Sequence, residues 1–373
     1  MNPRRRAWLL GLPALAATGV AHGAPAPSPE PDPVRRGRAL SFPRDHGAHP
    51  GQRTEWWYAT GWLRPDGSET LFGFQLTFFR SRTGLAETLR SRFAARQLLF
   101  AHAAITDTAS QDHLHADRVA RWSGDEAPGL RARAASNDTG VWLNGWQLVR
   151  SVAEGAARYE AQIDADRFRL DLHLAPSQPV LLQGDAGFSR KGPGERQASH
   201  YYSQPQLVAS GRLGIDGVVR SVRGRAWLDH EWSDELLHPQ AVGWDWIGIN
   251  LDDGSALTAF RLRRADGLAL WAGGSFRPAG GALRVFEPPS VRFAPGRQWR
   301  SPGSNASYPV EWQVETPVGT YALRALTDNQ ELDSRASTGT VYWEGLSELL
   351  DARGRRIGLG YLEMTGYAGT LRL

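Results

Sequence analysis

From about residue 40 onward, apolar positions fall in short alternating runs, and each run is cut by a turn dipeptide. Thr54–Arg64 reads as a strand, Pro65-Asp66-Gly67-Ser68 as a turn and Thr70–Arg80 as the antiparallel partner. Asp-Gly between two aromatic-rich runs supplies the positive φ that a tight hairpin needs. The same device recurs at Val208–Leu213, Asp216-Gly217 and Val218–Trp227, and again at Trp244–Leu251, Asp253-Gly254 and Ala256–Arg263. Helical periodicity is poor throughout. Only Ala86–Leu99 and Ser347–Ala352 could hold more than a turn, and in the first Leu89, Phe93, Arg96 and Leu98 make no continuous stripe. The pattern predicts an all-β chain.

Two of the hairpins resemble each other. Glu55-Trp56-Trp57-Tyr58 leads through Asp66-Gly67-Ser68 to Leu71-Phe72-Gly73-Phe74-Gln75-Leu76. Trp244-Asp245-Trp246 leads through Asp253-Gly254-Ser255 to Leu257-Thr258-Ala259-Phe260-Arg261-Leu262. The shared pattern predicts an internal duplication of about 187 positions, with the boundary in Ser233–Pro239. The expected units are 40–236 and 237–373, each opening on a Trp-rich hairpin.

Composition adds limits. A chain of 373 residues at 41% hydrophobic content can bury two cores. The 41 Gly and 23 Pro break long helices, and Lys191 is the single lysine. With no cysteine there is no disulfide, thiolate nucleophile or Cys-based metal site. The net charge of +4 owes three units to Arg4, Arg5 and Arg6, and no long like-charge run exists, so no nucleic-acid partner is expected. Those arginines precede the apolar Ala7–Val20 and the small-residue site Ala21-His22-Gly23, which together read as a signal peptide over 1–23. The apolar run is shorter than the roughly 20 residues of a bilayer span. A periplasmic or secreted location follows, and the consecutive arginines permit the twin-arginine route. Residues 24–39 read as a Pro-rich linker.

Candidate chemistry concentrates in four clusters. In Thr54–Tyr58, strand alternation puts Glu55 with Trp57 on one face and Trp56 with Tyr58 on the other. In Ala226–Asp234, Leu228, His230 and Trp232 share a face, while Asp229 and Glu231 take the opposite one. In Gly243–Trp246, Asp245 points away from Trp244 and Trp246. Tyr201 and Tyr202, in His200–Ser203, add phenols that can donate to a ligand. His46-x-x-His49 and His113-x-His115 have chelating spacing but read as loops, and no metal is expected. Gly-x-Ser-x-Gly, P-loop, Gly-x-Gly-x-x-Gly and His-Glu-x-x-His patterns are all missing from the sequence.

These clusters, with His46–Pro50, Phe72–Gln75 and Ala101–Ala104, resemble the carotenoid 1,2-hydratase (hydroxyneurosporene synthase) and AttH-like superfamily over about residues 40–370. The resemblance implies two lipocalin-like (calycin-type) antiparallel β-barrels in tandem. It also implies an apolar small-molecule partner, such as a carotenoid, isoprenoid or lipid, and no cofactor. In the hydratases, water adds to a terminal double bond of an acyclic carotenoid. Such hydration needs a protonated acid, aromatic faces for a carbocation and a placed water. Carried over, the pattern puts the His-x-Trp pair on His230 and Trp232. Asp245 is the first choice of acid, with Asp229 and Glu55 behind it. Trp57, Tyr58, Tyr201, Tyr202, Trp244 and Trp246 are the expected ligand contacts. The alternative is a non-catalytic periplasmic carrier serving an ABC-type transport system.

The export reading has a direct check. Mass spectrometry of the periplasmic fraction is expected to show a chain starting near residue 24; an intact Met1 start in the cytoplasm would oppose it.

Overall fold

The computed structural model describes residues 33–371 apart from residues 90 and 236; the expected leader, 1–23, and residues 24–32 of the linker lie outside the described residues. The described chain is all-β, with one 3-10 turn at Arg44–His46 as its helical element. The three Asp-Gly hairpins form as Thr54–Pro65 with Phe72–Arg82, Ala198–Ile215 with Val218–Glu235, and Gly243–Leu251 with Ala256–Arg263.

The strands make a 13-stranded and a 10-stranded antiparallel sheet, with a small two-stranded ribbon beside them. The chain leaves the first sheet at Glu235 and enters the second at Gly243. Both sheets follow one plan: the opening strand lies between its hairpin partner and the closing strand. In the first, Thr54–Pro65 pairs with Val218–Glu235. In the second, Gly243–Leu251 pairs with the closing strand Arg356–Met364, which also pairs with Thr340–Leu350. The first sheet curls until its edges meet. Arg118 of the edge strand Asp112–Trp122 donates at 2.6 and 2.7 Å to the carbonyls of Asn144 and Asp164, which lie among the last strands at the other end of the sheet. The result is a nearly closed barrel, which removes exposed strand edges.

Alternation then sorts the side chains. Trp57, Ala59, Leu63, Ala226, Leu228 and Trp232 turn into the first barrel's core. Ile247, Ile249, Trp343, Leu362 and Met364 turn into the second core. The opposite faces of these strands supply a third cluster between the sheets, including Tyr58, Trp227, Trp246, Leu346 and Tyr361. The central strands are thus buried on both faces. Close approach needs Gly248, where an added Cβ would lie 2.3 Å from the Trp246 ring and 3.2 Å from Trp227. A β-bulge between Gln204 and Leu207 turns Gln206 toward the second sheet, with φ of 57°. There its backbone N–H donates to Asn250 Oδ1 at 2.7 Å, and its amide donates to the carbonyls of Leu251 and Ser255.

Each unit also holds an acid and an arginine on facing residues of its opening hairpin. Glu55 lies opposite Arg80, and Asp245 opposite Arg261, with Nε–O distances of 2.7 Å in both. Removing one partner of such a buried pair strands the other charge, typically at a cost of about 3–5 kcal/mol. Arg80→Met is therefore expected to lose about that much in urea unfolding, whereas Arg64→Met, at the surface pair with the exposed Glu69, changes little. A loss under about 1 kcal/mol at Arg80 would mean that the histidines around Glu55 suffice.

Candidate functional site

The inward faces of the first barrel converge on Glu55. Its carboxylate accepts from Arg80 Nε at 2.7 Å, faces His49 Nδ1 at 2.8 Å and His230 Nε2 at 2.9 Å, and also accepts the His49 backbone N–H. His49 is delivered by the chain following the 3-10 turn, and its other ring nitrogen lies 3.0 Å from Asp45. Tyr202 bridges His46 and His230 at 2.7 and 3.2 Å. The rings of Trp57 and His230 stack, as do those of His49 and Trp232. Burial works against the Glu55 anion, but the charges and N–H groups of Arg80, His49 and His230 overcome it and hold the carboxyl well below its ordinary range. Burial lowers His230 to about 4, so it is neutral at pH 7. Donor atoms of His49, Glu55 and His230 lie within 4.8 Å of one another. They are engaged with each other and with the Arg80 guanidinium, which a cation would have to displace. This cluster is a filled polar core.

The open space lies on the other face of the same strands. A cavity of about 270 Å³ sits between the two sheets. The first unit contributes Trp56, Tyr58, Tyr201, Asp229 and Glu231, and also Lys191. The second contributes Trp244, Trp246, Phe260, Tyr342, Glu344 and Glu363. Register explains the meeting: Trp56 pairs across strands with Glu231, Trp246 with Glu363, and Glu344 directly with Glu363. The Tyr58 ring meets the Trp246 ring edge-on at 5.5 Å, and Trp246 Nε1 donates to the Tyr201 hydroxyl at 3.3 Å.

Three cavity carboxyls depart from ordinary behaviour. Burial raises Asp229 to about 7, held back by donation from Ser203 Oγ, Tyr201 OH and Trp227 Nε1 at 2.5, 2.7 and 2.7 Å. Burial, with the neighbouring Glu363, pushes Glu344 well above the carboxylate range. Glu363 is raised to about 8, again chiefly by burial, with Asp229 and Glu231 adding to the rise. Glu363 lies deep in the fold yet keeps partial exposure, while Glu344, also at the cavity wall, is buried. The Tyr58 hydroxyl and Glu344 approach each other without hydrogen-bond geometry, and Glu344 Oε1 has no hydrogen-bond partner. Two carboxyls facing each other without an arginine cannot both ionise cheaply, so the pair keeps a proton at neutral pH.

The residues singled out in the sequence divide among three compartments. Tyr58, Tyr201, Trp244, Trp246 and Asp229 reach the cavity. Trp57, Tyr202, His230 and Trp232 point into the first barrel, where their side chains are packed, and Glu55, which borders the cavity, turns its carboxylate the same way toward Arg80, His49 and His230. Asp245, the first choice of acid, lies inside the second unit. It is ion-paired with Arg261 and Arg263 at 2.7 and 3.1 Å and accepts from Tyr367 OH. Its strand phase, opposite Trp244 and Trp246, takes it out of the cavity, and Glu55 is held toward its anionic form by Arg80, His49 and His230. Glu344, Glu363 and Lys191 were missed. The available signal was a lone acid in an apolar strand, as in Tyr342-Trp343-Glu344-Gly345 and Tyr361-Leu362-Glu363-Met364.

The AttH-like family model matches residues 33–367. The crystal structure of a protein from Nitrosomonas europaea assigned as AttH is 47% identical, over 90% of this chain and 99% of that one, with a TM-score of 0.82. Kievitone hydratase from Nectria haematococca shares the fold at 13% identity, over 92% of this chain and 98% of that one, with a TM-score of 0.67. CghA does so at 14% identity, over 90% and 95%, with a TM-score of 0.52. No curated protein matches.

The raised carboxyl has a consequence for stability. The folded protein keeps the Glu363 proton between the ordinary 4.5 and about 8, where the unfolded chain has lost it. Stability from this group is therefore fully present below 4.5 and is lost as pH rises through about 8. Glu363→Gln removes that loss, so its Tm relative to the parent is expected to be higher at pH 9 than at pH 5. Equal differences at the two pH values would show that Glu363 titrates normally.

Proposed function

The chain belongs to the AttH-like family, and we propose that it binds an apolar molecule between its two units and protonates a carbon–carbon double bond there, in hydratase-type chemistry. The observation that carries this reading is Glu363, a carboxyl that stays protonated at pH 7, reaches the cavity and stands opposite Glu344. A carboxylic acid kept neutral by its surroundings is the donor that alkene protonation requires. The carbocation that forms would be stabilised by the faces of Trp56, Trp244 and Trp246. Tyr201, whose hydroxyl donates to Asp229, would orient the water that captures it. The chemistry calls for no cofactor. The fold shared with kievitone hydratase supports the reaction class.

A cavity of about 270 Å³ falls just below the usual range of ligand sites, about 300 to 1,000 Å³. It suits a compact molecule, or the end group of a long isoprenoid or carotenoid. We further propose export to the periplasm by the N-terminal leader. There the same cavity in a non-catalytic carrier would bind without turnover, as part of a transport system.

Kievitone and lycopene, incubated with the mature protein in deuterium oxide, test the proposal. Deuterium is expected on carbon in the hydrated product, with the rate falling as pH rises through about 8, since the donor is protonated only below it. Glu363→Gln is expected to lower turnover by about 10²–10⁴ while retaining binding. Binding by the parent protein without any label would favour the carrier.

A further inference from the structure

Lys191 is the one lysine among 43 basic side chains, and it is buried at the cavity wall. Its ammonium lies 3.1 Å from Glu231 Oε1 and sits over the rings of Tyr201 and Phe260, 4.6 and 4.5 Å from their centroids. Close as they are, the geometry is that of an ion pair alone: Glu231 Oε1 has no hydrogen-bond partner. An ammonium has three N–H donors and no acceptor. Two ring faces and one carboxylate offset its charge but leave donors unused. Those donors open on the cavity, where they are satisfied by whatever oxygen enters. A compact ammonium also suits a single acceptor atom better than the planar guanidinium used elsewhere in the chain.

We propose that Lys191 is the polar anchor of the cavity and donates a hydrogen bond to an acceptor oxygen of the ligand. The substrate class is then an apolar molecule bearing a carbonyl or phenol oxygen, in preference to a pure hydrocarbon. The inference rests on the cavity being the ligand site and is independent of proton transfer by Glu363. As a purely structural ion pair, Lys191 would hold Glu231 in place and leave ligand choice untouched.

Chalcone and trans-stilbene separate the two roles, because both carry two phenyl rings on an alkene and only chalcone has a carbonyl. Binding to the mature protein can be read by quenching of tryptophan emission, since Trp56, Trp244 and Trp246 line the cavity. The parent protein is expected to prefer chalcone by roughly 10-fold or more, the usual worth of a hydrogen bond to a charged group. Lys191→Met is expected to abolish the preference. Because that change leaves Glu231 unpaired, the double variant Lys191→Met, Glu231→Gln provides a neutral pair of similar shape, and it too should bind both probes alike. A preference that survives in a folded variant, or equal binding by the parent, overturns the anchor and leaves the cavity as the ligand site. If the parent binds neither probe, the anchor and the proposed ligand site fail together.

Discussion

Where the two units meet, the strands that open and close each of them are buried on both faces, and the remaining arrangement depends on that constraint. In Thr54–Pro65, Val218–Glu235, Gly243–Leu251 and Arg356–Met364, one face fills a unit's own core and the other, where the units meet, packs against the other unit. A polar side chain on such a strand has no solvent to turn to, and burial without a partner is costly. Each must be satisfied inside the protein or remain poised in a cavity. Neighbouring residues can meet different fates: His230 belongs to the packed core of the first barrel, while Asp229 and Glu231 belong to the space between the units.

Similar carboxyls are driven to opposite states by what faces them. Glu55 and Asp245 each have an arginine directly across the hairpin, and Glu55 gains two histidines as well. Glu363 has another carboxyl across from it and tryptophans beside it, so burial dominates and the proton stays. One kind of site stabilises an anion within a unit's core. The other stores a proton at the wall of the cavity between the units. Distance in sequence is no guide, because Glu363 reaches Asp229 and Glu231 only through the packing of the two sheets.

The shared plan of the units gives the cavity its symmetry. An acid followed by tryptophan, Glu55-Trp56 and Asp245-Trp246, places the acid inward and the indole outward in both opening strands. Each of those indoles lies across from a glutamate of its closing strand, Glu231 in one case and Glu363 in the other. The two tryptophan–glutamate pairs face the same space. Their difference is one lysine: Lys191 answers Glu231, while Glu344 answers Glu363. One side of the cavity carries an ion pair and the other holds a proton.

Local sequence decided a good deal. Asp-Gly turns fixed the three hairpins, and period-two alternation assigned Glu55, Trp57, His230 and Trp232 correctly to one set of faces and Trp56, Tyr58 and Asp229 to the other. These features depend on backbone geometry within a few residues. Which face meets a cavity is a different matter, because it depends on which strands close each sheet and how the sheets dock. That is why Asp245, flanked by two tryptophans in the sequence, lies among arginines in the second unit's core. It is also why Glu344 and Glu363, unremarked in their own strands, become the protonated pair. Alternation is local and legible along the chain; the company a buried charge keeps is set by pairing and docking between distant segments, which only the tertiary structure decides.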